Sequence, residues 1–176
     1  MRIISGTLRG KSIVPPVRLQ VRPTTDFAKE NLFNILANRF DFESVRVLDL
    51  FAGTGSISYE FASRGCVHVD CVEMNPLHHA FIRQTAQQLE LTQIHAVRHN
   101  VFDFLAICTA QYDIIFADPP FELKGIKAIP NTIFQRHLLL KNGVFILEHA
   151  HKYDFGNHPH FKQRRDYGSL CFSFFE

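Results

Sequence analysis

The tetrapeptide Asp118-Pro119-Pro120-Phe121 follows the apolar run Tyr112-Asp113-Ile114-Ile115-Phe116-Ala117. Its residue types could do chemistry. A run rich in β-branched and aromatic residues reads as a buried strand. Two prolines end that strand and stiffen the turn beyond it. The turn then offers a backbone carbonyl, the Asp118 carboxylate as a second acceptor, and the flat face of Phe121. Two acceptors and a ring suit a planar group that carries an exocyclic amine. The acceptors take the amine hydrogens, and the ring stacks on the base. The plainer reading is a strand-terminating turn capped by an acid, and the tetrapeptide alone does not separate the two.

Three other strand ends carry matching residues. Asp49-Leu50-Phe51-Ala52-Gly53-Thr54-Gly55-Ser56 closes a first apolar run, and Gly53 and Gly55 permit a tight turn with close backbone approach. Glu73, followed by Met74, lies 20 residues beyond Gly53 at the end of a second run. That is the place for a carboxylate on both hydroxyls of an adenosine ribose. Asn100 and Val101 end a third run, placed to meet an adenine edge and face. Two cofactors compete for this set. A dinucleotide needs a phosphate cradle and usually a third glycine, where this chain has Ser58. S-adenosylmethionine (SAM) has no phosphate and carries a sulfonium and an ammonium, so the acid Asp49 near the first turn favours it. Asp49 also reads as an ordinary turn or cap acid.

The elements that must position these residues alternate along the chain. Strands are expected at 45–50, 67–72, 94–98, 112–117 and 143–149. Helices are expected at 56–64, 76–89 with proline in the first turn, about 101–107, and within 126–139. Thr24 or Thr25 caps an earlier helix whose buried face holds Phe27, Leu32, Phe33, Ile35, Leu36 and Phe40. Residues 2–5 and 11–14 read as a small hairpin closed by prolines, and the tail 161–176 as a hairpin about Tyr167-Gly168-Ser169. Strict strand–helix alternation implies an α/β fold with a mostly parallel sheet covered on both faces. Its ligand crevice lies at the C-terminal strand edge, where the four strand ends should converge.

Composition narrows the class. A chain of 176 residues with 46% apolar content fits one domain, with residues 1–22 as a basic extension. No apolar run approaches a membrane span, and the N-terminus lacks the apolar stretch of a signal peptide. The four cysteines show no paired spacing and read as reduced thiols, so a cytoplasmic location is expected. Net charge is only +2, yet residues 1–25 hold Arg2, Arg9, Lys11, Arg18 and Arg22 with no acid, and the tail is rich in His, Lys and Arg. That is a phosphate footprint or a solvated basic surface. The histidine pairs 149/151 and 158/160 lack carboxylate or cysteine partners at metal-site spacing, so no metal is expected.

Dense motifs over residues 1–121 carry a closer likeness. Residues 49–56 resemble motif I, and 118–121 motif IV, of class I SAM-dependent methyltransferases acting on exocyclic nitrogen. Met1-Arg2-Ile3-Ile4-Ser5-Gly6, Arg9-Gly10, Arg22-Pro23-Thr24-Thr25-Asp26, Glu30 to Leu36, Ser63-Arg64-Gly65 and Tyr167-Gly168 resemble the RsmD family of bacterial 16S rRNA guanine-N2 methyltransferases. The chain departs from that family at Phe27-Ala28, where a further basic residue is common, and at Ser58. The resemblance implies a class I, Rossmann-like methyltransferase fold and SAM bound by Asp49, Phe51, Ala52, Gly53, Gly55, Glu73, Met74, Asn100 and Val101. It implies catalysis by Asp118, Pro119, Pro120 and Phe121, and RNA contact by Arg2, Arg9, Lys11, Arg22 and Tyr167. The implied substrate is a guanine of 16S rRNA, the family's position 966, within a small-subunit particle, and a monomer is expected. Adenine-N6 methylation uses a similar turn, more often with Tyr in place of Phe121. Protein-glutamine methyltransferases usually have Asn in place of Asp118. A non-catalytic RNA-binding assembly factor tends to lose the glycines or the acid that this chain keeps.

Overall fold

The computed structural model describes residues 1–19 and 25–176. Seven strands form one sheet: β1 (Arg46–Leu50), β2 (His68–Val72), β3 (Ile94–Val97), β4 (Tyr112–Ala117), β5 (Leu139–Ala150), β6 (Phe161–Tyr167) and β7 (Leu170–Phe175). Their order is β3-β2-β1-β4-β5-β7-β6. The first five run parallel, and β7 pairs antiparallel with both β5 and β6. Five α-helices accompany them: α1 (Asp26–Ala37), α2 (Ser56–Ser63), α3 (Pro76–Gln88), α4 (Val101–Ile107) and α5 (Ala128–Gln135). This is the class I methyltransferase fold that the sequence implied.

Both faces of the sheet are covered, as alternation along the strands requires. Val47, Ile114, Phe116, Val144 and Ile146 pack with α1 and α2 residues such as Leu32, Phe33 and Phe61. Their neighbours Leu48, Ile115, Ala117, Phe145 and Leu147 pack on the other face with Leu105, Ile129 and Ile133 of α4 and α5. Side-chain caps start three helices. Thr25 accepts from the Ala28 N–H, Asn75 from Leu77 and His78, and Asn100 from Phe102 and Asp103.

Two expectations are corrected. Phe27 is 68% exposed, because the buried stripe of α1 runs through Ala28, Lys29, Leu32, Phe33 and Leu36 and leaves Phe27 beside it. The N-terminal hairpin is shorter than expected. Its antiparallel pairing is confined to the Arg2–Ser12 bridge and the backbone bonds beside it, from the Ile3 N–H to the Lys11 carbonyl, the Gly10 N–H to Ile3 and the Ile13 N–H to Met1. The Ile4 and Ser5 N–H groups donate instead to Glu60 at 2.7 and 3.1 Å, so they cannot extend a ladder. Gly6 sits at φ +84° with its α-carbon pressed on α2, where an added Cβ would meet the Ser63 carbonyl oxygen at 1.8 Å. The remaining boundaries shift by a residue or so, except that β5 begins at Leu139 and α5 covers a shorter span.

Glu60 is fully buried. It also accepts from the Arg64 Nε at 2.8 Å and lies 3.8 Å from the buried Lys29 ammonium. Lys29 donates to the Arg2 carbonyl at 2.6 Å, and burial holds its pKa below the usual lysine range. Removing one partner of a buried charge network costs about 3–5 kcal/mol. Glu60→Ala is therefore expected to lower unfolding free energy by that amount in urea titration, with proteolytic nicking of residues 1–14 as its first local symptom.

Candidate active site

The strand ends are stepped together by backbone bonds across the sheet edge. The Asp118 N–H donates to the Leu50 carbonyl, the Ala52 N–H to Val72, and the Glu73 N–H to Val97. Each residue that leaves a strand is thus pinned to the last residues of its neighbour. Above this edge opens a cavity of about 680 Å³, within the range of small-molecule sites.

Most of the expected residues meet there. Phe51, Gly53, Glu73, Met74, Asn100 and Val101 line one part, and Asp118, Pro119, Pro120, Phe121 and Tyr167 line another. Glu73 is buried and ties two turns together, accepting from the Gly53 N–H at 2.8 Å and the Asn75 N–H at 2.7 Å. Its remaining lone pairs can still serve hydroxyls. The Asn100 side-chain oxygen caps α4, accepting from the Phe102 N–H at 2.8 Å. Its amide hydrogens are what it has to offer a base edge.

Three expected cofactor residues lie outside the lining. Ala52 is part of the turn backbone, where its carbonyl accepts from the Gly55 N–H. Gly55 precedes α2 at φ +85°, with the Tyr59 ring 2.8 Å from where a Cβ would stand. Asp49 is buried beneath the cavity and takes a 2.5 Å hydrogen bond from the Ser58 hydroxyl. A glycine at 58 would leave that carboxylate without this donor.

Of the expected RNA contacts, Tyr167 lines the cavity. Arg2, Arg9 and Lys11 are exposed on the N-terminal loop, and Arg2 pairs with Asp26 at 3.3 Å. Arg22 lies outside the described residues. Among the lining residues that were not expected, two stand out. Phe27 meets Tyr167 edge-on at 6.2 Å, and its place beside the buried stripe was the signal for it. Glu148 of β5 is almost wholly buried in the wall, and only strand register reveals it. Away from the cavity, His151, Asp166 and Cys171 lie close together, with the Arg164 guanidinium donating to both His151 and Asp166 at 2.7 Å.

The electrostatics favour a cation. Among the described residues the lining holds three acids, Glu73, Asp118 and Glu148, and no Lys or Arg. Burial holds the Asp118 carboxyl well above the usual range, and the charges of Glu148 and Asp49 push it further the same way. A pyrophosphate would meet repulsion here, whereas a sulfonium and an ammonium would be welcomed. The residues present therefore fit SAM better than a dinucleotide. Among the described residues neither the Asp118 carboxylate nor the Pro119 carbonyl accepts a hydrogen bond. The Pro120 carbonyl is taken by the Leu123 N–H, and the Phe121 carbonyl by the Tyr153 hydroxyl.

Burial pushes the Asp49 carboxyl up to about 7, the Ser58 hydroxyl and N–H draw it back, and the Glu73 charge adds to the rise. An acid whose folded pKa exceeds its unfolded value stabilises the fold at low pH, and that contribution is lost as pH rises through the folded value. Asp49→Asn does not titrate. In urea unfolding of the unliganded protein, the stability of Asp49→Asn relative to wild type should therefore rise between about pH 5 and about pH 8. An equal difference at both ends would show that Asp49 titrates as an ordinary acid.

Comparison with known proteins agrees with the geometry. The model of the family described as Conserved hypothetical protein 95 matches residues 1–176. Ribosomal RNA small subunit methyltransferase D of Escherichia coli strain K12 is 34% identical over 148 residues, 84% of this chain and 74% of that protein. The solved structure of yhhF from Escherichia coli superposes with a TM-score of 0.87 at 26% identity, covering 99% of this chain and 96% of that one. An RNA methyltransferase from Salinibacter ruber, solved with S-adenosyl-L-homocysteine, shares the fold at a TM-score of 0.68 and 13% identity, over 88% and 92% of the two chains. Fold, acid-lined cavity and relatives converge: the chain belongs to the Conserved hypothetical protein 95 family, the RsmD family of rRNA methyltransferases that use SAM as methyl donor.

Proposed function

We propose that this chain transfers a methyl group from SAM to the exocyclic N2 of a guanine in 16S rRNA, at the position corresponding to 966 in the family. The observation that carries the proposal is a pair of acceptors with no donor among the described residues, the Asp118 carboxylate and the Pro119 carbonyl, lining one cavity with the Phe121 ring. That arrangement supports an amine held by its two hydrogens and a base stacked on an aromatic face.

SAM, when bound, supplies an already electrophilic methyl. Glu73 is placed for the ribose hydroxyls, Asn100 and Val101 for the adenine, and Phe51, Gly53 and Met74 for the rest of its surface. Asp49, Ala52 and Gly55 act from beneath by fixing the turn. The protein's task is then alignment of the amine with the methyl. A guanine amine is planar because its lone pair is delocalised into the ring. Asp118 and the Pro119 carbonyl, accepting its hydrogens, favour a pyramidal nitrogen as positive charge develops. Asp118 is also the near acceptor for the proton that leaves after transfer. Pro120 holds the turn, and Phe121 stacks on the base.

The RNA grip falls to Arg2, Arg9 and Lys11 on the anchored N-terminal loop, to Arg22, and to Tyr167 at the cavity mouth. We read the chain as a single-domain cytoplasmic monomer that acts on a small-subunit particle. Consistent with that, no helix among the described residues is long and apolar enough to cross a membrane.

Four measurements test this reading. Asp118→Ala should lower single-turnover methyl transfer by two orders of magnitude or more, about 3 kcal/mol of transition-state stabilisation. Its affinity for S-adenosylhomocysteine should change far less. Nucleoside mass analysis should place the wild-type label on guanine N2, and a label on adenine N6 would replace the substrate assigned here. Separately, Arg9→Ala with Lys11→Ala should flatten the logarithmic salt dependence of particle binding by about 1–2. An unchanged slope would remove the loop from the RNA interface.

A further inference from the structure

The register of β4 against β5 ends with Ala117 beside Leu147. Continuing one step places Asp118 beside Glu148, on strands about 4.8 Å apart. Their faces follow from alternation. Phe116 and Ile146 point to the α1–α2 side, and Ala117 and Leu147 to the α4–α5 side. Asp118 and Glu148 therefore return together to the α1–α2 side. Both line the same cavity, which also holds the Pro119-Pro120-Phe121 turn. Glu148 is 3% exposed, so its carboxylate belongs to the wall of this site rather than to an outer acidic surface.

On the reading of this cavity as a guanine-N2 site, we propose that Glu148 is a specificity-determining residue that accepts the N1–H of the acceptor guanine while Asp118 holds the adjacent amine. Guanine presents N1–H and the N2 amine as neighbouring donors on one edge. Two carboxylates side by side complement that edge. Adenine presents an acceptor at N1 next to its amine, so the same carboxylate would face a lone pair that repels it. Discrimination by setting like against like in this way is stronger than discrimination by shape alone. The Asp118 turn by itself grips any exocyclic amine, and Glu148 is what makes the site read guanine.

The test uses a base that keeps the reacting amine and loses only N1–H. In 2,6-diaminopurine the N2 amine is intact, and N1 is an acceptor. Small-subunit particles are assembled with guanine or 2,6-diaminopurine at the acceptor position, and single-turnover methyl transfer is measured with the full chain. Wild type should favour guanine by about 100-fold or more. Glu148→Gln is nearly isosteric, and its amide can accept from N1–H or donate to N1. It should lower that preference at least about tenfold, with S-adenosylhomocysteine affinity reporting that the variant is folded. Equal wild-type rates on the two bases would overturn the inference without any variant. An undiminished preference in folded Glu148→Gln would overturn it as well. Absence of any wild-type methyl on guanine N2 would remove the underlying reading and this inference together. That result is a loss of transfer, whereas failure of the Glu148 role alone is a loss of discrimination only.

Discussion

The reversal of strand order between β1 and β4 is the constraint from which the site descends. The chain leaves β1 for α2 on one face and leaves β4 for α5 on the other. The two departing segments separate, and no side chain of the sheet fills the gap between them. Everything of chemical interest stands on its rim. Parallel register lifts Asp49, Asp118 and Glu148 to the C-terminal edge on a single face of three adjacent strands. Glu73 then ties the turn after β1 to the turn after β2 through two backbone N–H groups. The cavity is thus built from backbone geometry first, and side chains only dress it.

Stability and chemistry oppose each other at this edge. Asp49 and Asp118 both carry pKa values raised chiefly by burial, and a well-packed apolar residue would serve the fold better at either place. Their presence makes the cavity an unfavourable electrostatic environment that a cationic ligand relieves. The Ser58 hydroxyl offsets part of the cost at Asp49. This gives a physical reason for serine where a dinucleotide-binding turn would carry glycine.

Much of this was readable in the residue order. Strands β1 and β4 carry apolar runs ended by glycine or proline, α4 falls where its Asn100 cap places it, and the Pro-Pro turn marks the switch point directly. Other features needed three dimensions. The Ile3-Ile4-Ser5 stretch has strand propensity, but Glu60, more than fifty residues away, captures the Ile4 and Ser5 N–H groups. Phe27 belongs to a helix rich in phenylalanine and reads as core until the helix phase is fixed by Ala28 and Leu32. Glu148 sits inside the run Val144 to Ala150, where sequence shows only an acid in a strand. Its neighbour Asp118 lies thirty residues earlier, and nothing local signals their adjacency.

The anchoring of the N-terminal loop has a kinetic meaning. Glu60, Lys29 and the pocket around Gly6 clamp residues 1–14 to α1 and α2. An arm that condensed onto RNA only at encounter would lose conformational freedom at that moment. On the proposed reading, in which this arm grips RNA, its positive charges would meet a phosphate surface as a fixed array. Such an array would steer an approaching particle toward one orientation. Collisions would then select for the pose that brings the acceptor base over the cavity mouth, and residence time rather than arm folding would set how long it stays there.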